Sequence, residues 1–198
     1  MLGLDQGVIP HGKDISNDRR FRQAIYTSAA CFLRGIGATR SQRQCECLAQ
    51  GLDTLRILGA VTVAYLDLTG SGIETVAHLK ENGRIVLMFC SFQGPPRILR
   101  LYGRGHVVEP QQGDFPDLAP HFPEYEATRA IVVIEVSRIA DSCGYGVPLL
   151  RYEGERDQLS AWARNRGPEG LKNYRVEKNQ RSIDGLPGLN TTAESVKR

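Results

Sequence analysis

The residues best suited to chemistry lie in one short loop, residues 69–72, whose sequence is TGSG. An apolar run rich in valine and leucine precedes this loop and a helical pattern follows it. Glycines let the backbone approach a ligand closely, and a helix that begins after them leaves N–H groups free to bind an anion. The hydroxyl groups of this region add donors. The pattern therefore predicts an anion site that uses Thr69, Gly70, Ser71 and Thr75.

The same loop has a second interpretation that involves no ligand. Ser71 and Glu74 have the spacing of a capping box, in which the serine accepts from the helix and the glutamate reaches back. Capping and anion binding use different N–H groups, so the two interpretations are compatible.

The elements that must position this loop are mainly strands. A glycine–proline turn at residues 93–96 joins two of them into an antiparallel hairpin, and a tyrosine between two glycines, Tyr145, lies in a loop after the last strand. Strands are predicted at residues 61–68, 84–90, 97–108 and 130–139, and helices near Ile73 and at residues 155–164 and 170–178.

Four strings, in this order and spacing, carry a family resemblance: YLDLTG, LKENG, RILRLYGR and SCGYGVP. With them the chain resembles the pyridoxamine 5'-phosphate oxidase-like family of FMN-binding split barrels, over about residues 51–189. The resemblance implies a mainly β (α+β) fold, a six-stranded antiparallel split β-barrel with flanking helices. It also implies a homodimer with FMN at the subunit interface. The expected division is an atypical segment 1–50, an FMN-binding barrel domain 51–150 and a helical or extended segment 151–198.

The resemblance further implies an FMN-dependent oxidoreductase, in which N5 of the flavin accepts a hydride from a small substrate. The sequence leaves open the substrate, the electron acceptor and the choice between FMN and a deazaflavin. It also leaves open a flavin-binding or deazaflavin-binding protein without turnover. The cofactor-binding residues that the resemblance implies are Thr69, Gly70, Ser71, Thr75, Arg97, which opens a strand, and Tyr145, which lies in the loop that reaches the partner subunit.

The segment before residue 51 departs from the family pattern. Residues 15–50 show no strand or helix periodicity, and Gln50 stands where the family has a phosphate-binding lysine. Residues 44–50 can be encoded by CAA TGT GAA TGT CTC GCC CAA, which reads NVNVSPK, the family's strand, when shifted by one nucleotide. The same shift turns residues 29–34 into QPVFFV.

We therefore hypothesise that residues 15–50 are translated out of frame; a divergent extension is the alternative. On the first hypothesis two barrel strands are missing. The chain is then a frame-damaged product whose N-terminal segment is poorly ordered and whose solubility and FMN binding are low.

Charge, hydropathy and cysteine spacing argue against several other classes of protein. A net charge of +3 with no long basic run does not predict nucleic-acid binding. We expect a cytoplasmic protein, because no stretch resembles a membrane span or a signal peptide. The five cysteines have no paired spacing that would indicate disulfides or a metal site. Catalytic residues are not identifiable: His78 is expected on a helix surface, and in flavin enzymes the cofactor carries the redox chemistry.

Overall fold

The computed structural model describes residues 45–190 in full, and residues 8–9 and 32–36 as backbone strands. Its strands are β1 (Val8–Ile9), β2 (Phe32–Ile36), β3 (Glu46–Gln50), β4 (Leu55–Ile57), β5 (Thr62–Leu68), β6 (Arg84–Cys90), β7 (Ile98–Val108) and β8 (Thr128–Ser142). Its helices are α1 (Glu74–Asn82), α2 (Phe115–Leu118), which continues into a 3₁₀ turn at Ala119–His121, and α3 (Gln158–Lys178).

The strands form one antiparallel sheet in the order β3-β2-β6-β7-β8-β5-β4, and β1 pairs with β8. This confirms the predicted fold class, a mainly β split barrel with few helices. Among the described residues the sheet has eight strands rather than six, and no pairing joins its ends, β3 and β4. The two additional strands, β1 and β4, contain two and three residues, which is too short for a period of two to be recognised.

The prediction that two barrel strands are missing before residue 51 is wrong for the described segments. Strands β2 and β3 pair with each other, and β2 also pairs with β6, with Phe32 opposite Phe89. Because ladder hydrogen bonds join backbone groups, a partner strand can impose pairing on a segment that lacks alternation. The rest of residues 15–50 lies outside the described residues, and the frame hypothesis stays a prediction.

Two core clusters lie on opposite faces of β5 and β8, and the larger one extends over one face of β5–β8. Tyr65, Leu87, Leu101 and Ile134 are fully buried there, because alternate residues of a strand point to the same face. Strand β8 pairs with β7 along one edge and with β5 along the other, and each pairing contains one register shift, at Tyr102/Gly103 and at Asp67/Leu68. Such bulges increase the local twist and bend the sheet.

Helix α1 packs on this sheet and ends sharply. Gly83 adopts a left-handed conformation with φ of 68°, and its N–H donates to the Leu79 carbonyl at 2.9 Å. The helix predicted near Ile73 is confirmed. The two helices predicted near the C-terminus are both present: they follow each other within Gln158–Lys178 and are separated by non-helical backbone at Gly167, where φ is 65°, before Pro168. None of the described helices is long and apolar enough to cross a membrane.

The segment after α3 turns back over α1. The Asn179 carbonyl accepts from Leu189 N–H at 2.9 Å, and Leu189 packs against Ile73 and Val76. Residues 179–190 therefore cover the start of α1, the position at which the sequence predicts an anion site.

Candidate functional site

The predicted site loop begins at Thr69, which is fully buried at the end of β5. Its N–H and its hydroxyl both donate to the Ala127 carbonyl, each at 2.7 Å. The same hydroxyl oxygen accepts from Arg175 Nε at 2.9 Å. The polar groups of Thr69 therefore join the loop to the residue that precedes strand β8 and to helix α3.

Two arginines lie beneath this loop. Arg129 forms a buried ion pair with Asp67 at 2.7 Å, and its guanidinium also donates to the Gly70 carbonyl at 3.3 Å. Asn179 Nδ2 donates to the same carbonyl at 2.9 Å. Burial lowers the pKa of Arg175, and the neighbouring Arg129 lowers it further. These cations bind carbonyl and carboxylate oxygens of the protein.

Sequence reasoning missed this network. One signal was present, since Asp67 is a carboxylate inside an otherwise apolar strand, and a buried carboxylate requires a partner. The partners could not be identified, because they come from β8 and from the end of α3.

The N-terminus of α1 differs from the predicted capping box. The N-cap residue is Ile73, and the Ser71 side chain is exposed and makes no capping bond. Glu74 does reach back: its carboxylate accepts from Ile73 N–H at 2.8 Å and from Ile183 N–H at 3.1 Å. The serine half of the prediction is therefore wrong, because the helix begins two residues later than the box requires.

A second carboxylate lies beside the first turn of α1. The buried Thr75 hydroxyl donates to Glu46, which is the first residue of β3. Gln50, at the other end of β3, is buried, and its Nε2 donates to the Leu66 carbonyl at 3.0 Å. A phosphate at this helix N-terminus would therefore face Glu46 and Glu74, and like charges at short range repel. The residues present do not fit the phosphate of FMN at this position.

The other two predicted cofactor residues lie elsewhere. Arg97 immediately precedes β7, and Gly144 packs directly on its backbone: a Cβ at Gly144 would lie 2.6 Å from the Arg97 nitrogen. Tyr145 follows Gly144 and is 78% exposed. The structure therefore brings the Arg97 backbone and the tyrosine loop together.

These two groups of predicted residues lie far apart along the chain's longest strand. Strand β8 starts opposite Leu68, next to Thr69, and ends opposite Ile98, next to Arg97. The strand has 15 residues, which at about 3.3 Å per residue separate the two groups by roughly 45 Å of strand path.

His78 is also placed differently from its prediction. It is fully buried on α1 instead of lying on the helix surface, and neither ring nitrogen has a hydrogen-bond partner among residues 45–190. Its Nε2 lies 3.9 Å from the carboxylate of Asp184 in the C-terminal segment.

Comparison with known proteins adds a relationship in sequence. No family model matches the chain. The chain is 34% identical over 197 residues to the pyridoxamine 5'-phosphate oxidase family protein ustO of Aspergillus flavus, a match that covers 90% of this chain and 76% of that protein.

Three solved structures are similar at lower identity. HupZ of Group A Streptococcus has a TM-score of 0.47 at 15% identity, covering 62% of this chain and 90% of that chain. A putative pyridoxamine 5'-phosphate oxidase of Lactobacillus delbrueckii has a TM-score of 0.46 at 13% identity, and the match covers 66% of this chain and 98% of that chain. A pyridoxamine 5'-phosphate oxidase-related, FMN binding protein of Nostoc punctiforme has a TM-score of 0.47 at 8% identity, and the match covers 64% of this chain and 85% of that chain. All three TM-scores lie below 0.5. The sequence match to the Aspergillus flavus protein, in contrast, covers most of both proteins.

Proposed function

Because the chain belongs to the pyridoxamine 5'-phosphate oxidase family, we propose that it is an FMN-dependent oxidoreductase that acts on a small molecule. The observation that carries this proposal is the sequence relationship, which extends over nine-tenths of the chain. Hydride transfer is the chemistry that the flavin supplies when bound. The residues of the protein therefore have to bind the flavin and orient the substrate beside it. We propose a cytoplasmic location, which the free thiols of Cys45, Cys47, Cys90 and Cys143 support.

The second part of the proposal is that the present sequence binds FMN weakly. Glu46 occupies the N-terminal turn of α1 through Thr75, and Gln50 offers a neutral amide to a backbone carbonyl. Both positions lie in the segment that we hypothesise to be out of frame. The shifted reading places an asparagine at position 46 and a lysine at position 50, which removes a negative charge and adds a positive one at the proposed phosphate position.

The third part of the proposal is a homodimer with the cofactor between its subunits. Residues 145–152 expose four large apolar side chains, Tyr145, Leu149, Leu150 and Tyr152. Exposed apolar surface of this kind marks an association site. A second copy is the proposed partner, because the two groups of predicted cofactor residues are separated along β8 and can share one flavin only across an interface.

Flavin affinity tests the proposal. Fluorescence titration with FMN compares the unmodified chain with Glu46→Asn and with Glu46→Asn/Gln50→Lys. Removing the carboxylate is expected to tighten binding. A charged hydrogen bond is worth about 1.5–3 kcal/mol, so the lysine should add roughly a 10-fold to 150-fold gain. Glu153→Gln is the control, since it removes an equally negative but exposed side chain and should leave affinity unchanged.

Two outcomes contradict the proposal. If the double variant binds FMN no better than the Glu153→Gln control, the α1 N-terminus is not a phosphate site. If the double variant binds FMN but the bound flavin is not reduced by NAD(P)H or by any small-molecule donor tested, the binding-module alternative is favoured over the enzyme.

A further inference from the structure

A groove on the outer face of the sheet carries an excess of positive charge that the proposed function does not use. It has a volume of about 390 Å³, and Arg84, Val86, Tyr102, Gly103, Arg104 and Ser137 line it. These residues come from β6, β7 and β8, where the register shift at Tyr102/Gly103 interrupts the β7–β8 ladder. The bulge therefore lies within the groove.

The arrangement of charge in the groove is unfavourable without a ligand. Arg84 and Arg104 are direct cross-strand neighbours on β6 and β7, and like charges opposite each other destabilise a sheet. Among the residues that the structure describes, neither guanidinium has an ion-pair partner. The nearest carboxylate in the register is Glu135, opposite Arg104 on β8, and it forms no ion pair with it. An anion in the groove would relieve this repulsion.

The C-terminal turn of α1 contacts one arginine through its side chain and the other through its backbone. Arg104 Nη1 donates to the Asn82 carbonyl at 3.1 Å, and the Arg84 backbone N–H donates to Asn82 Oδ1 at 2.8 Å. The negative end of a helix dipole favours cations at this position. Because the Arg104 side chain is partly ordered before a ligand arrives, its contact with that ligand costs less side-chain entropy.

The opposite wall of the groove is also fixed. The Arg138 guanidinium lies over the Tyr102 ring, 5.4 Å from its centroid. Ser137 Oγ donates to the Tyr102 carbonyl at 3.2 Å. No Cβ can be accommodated at Gly103, because it would lie 2.3 Å from the Glu135 carbonyl oxygen.

From this geometry we propose that the groove binds the phosphate group of a small phosphate monoester. Two neighbouring guanidinium groups match the geometry of phosphate oxygens with paired N–H donors. The groove lies at the C-terminal end of α1, whereas the proposed FMN phosphate position lies at the N-terminal end, about 13 Å away along a helix of nine residues. It is a second site, independent of the proposed function.

Thermal unfolding tests this site. The melting temperature is measured in chloride, in inorganic phosphate and in phenyl phosphate, all at one ionic strength. Both phosphates are expected to raise the melting temperature of the unmodified chain in a saturable way, since a ligand that binds only the folded state stabilises it. Arg84→Gln and Arg104→Gln should lose this response. Arg156→Gln, which removes an exposed arginine from the loop before α3, should keep it.

Two further readouts separate lost binding from damaged folding. In chloride, Arg84→Gln should melt no lower than the unmodified chain, because the substitution removes a like-charge pair. Arg84→Lys keeps the charge but not the paired donors, and should respond at higher phosphate concentrations than the unmodified chain. FMN affinity of the Glu46→Asn/Gln50→Lys chain should be unchanged by Arg84→Gln.

If phosphate raised the melting temperatures of Arg84→Gln and Arg156→Gln equally, the proposal would be overturned. It would also be overturned if the unmodified chain melted no higher in phosphate than in chloride. A response to inorganic phosphate without one to phenyl phosphate would overturn the assignment to a monoester.

Discussion

Thr75 donates its hydroxyl hydrogen to Glu46, so the first turn of α1 already has a carboxylate beside it. The sequence predicted Thr75 as a site residue from its place after a glycine turn, and this place is local information. Glu46 could not be predicted in the same way, because it is 29 residues earlier in a segment without periodicity. Residues that meet through the tertiary fold leave no spacing signal in the chain.

At the same scale, the Asp67–Arg129 pair allows a prediction about stability. Both side chains are at least 96% buried, and truncating one member of a buried pair costs about 3–5 kcal/mol. Arg129→Ala should lower the free energy of unfolding by about that amount, measured by urea denaturation. Arg164→Ala is the control, because its partner Asp157 is 72% exposed, and an exposed pair contributes less than about 1 kcal/mol. Similar losses in both variants would show that the burial of the first pair has no energetic role.

Among the elements, the long strands and α1 were predictable and the short strands were not. Residues 84–90 and 97–108 read as strands from their apolar patterns, and β6 and β7 occupy almost the same residues. Strand β8 is longer than the predicted 130–139, because its ends pair with β5 and with the start of β7. The covering of α1 by residues 179–190 has no local signal, since it depends on where the end of α3 leads the chain.

The start of α1 gives an element-scale prediction. Ser71→Ala should change the free energy of unfolding by less than about 0.5 kcal/mol, the usual limit for a surface position, because the Ser71 side chain is not the cap. Glu74→Ala should cost about 1–3 kcal/mol, since it leaves the Ile73 and Ile183 N–H groups without their acceptor. Chemical denaturation of both variants measures the difference. If Ser71→Ala lowered the free energy of unfolding more than Glu74→Ala does, the capping-box interpretation would be supported.

For the whole molecule, the exposed apolar side chains of residues 145–152 bear on assembly. If they form the interface of a homodimer, Leu149→Asp should give a monomer, because burying an unpaired carboxylate in an interface is costly. Light scattering after size-exclusion chromatography measures the mass. Ile183→Asp is the matched control, since Ile183 is 76% exposed and Leu149 is 79% exposed. A dimer that survives Leu149→Asp, or a monomer in the unmodified chain, contradicts the proposed assembly.

The central position of β8 has a consequence for synthesis of the chain on the ribosome. Strand β5 pairs with β8, which begins about 60 residues further along, so β5 and β7 leave the ribosome well before their shared partner. At about 5–20 residues per second, the delay for β5 is about 3–12 s. During that time the apolar face of a nascent, half-paired sheet is available to chaperones. Slow translation between codons 69 and 142 would therefore lengthen the period in which the growing polypeptide depends on them.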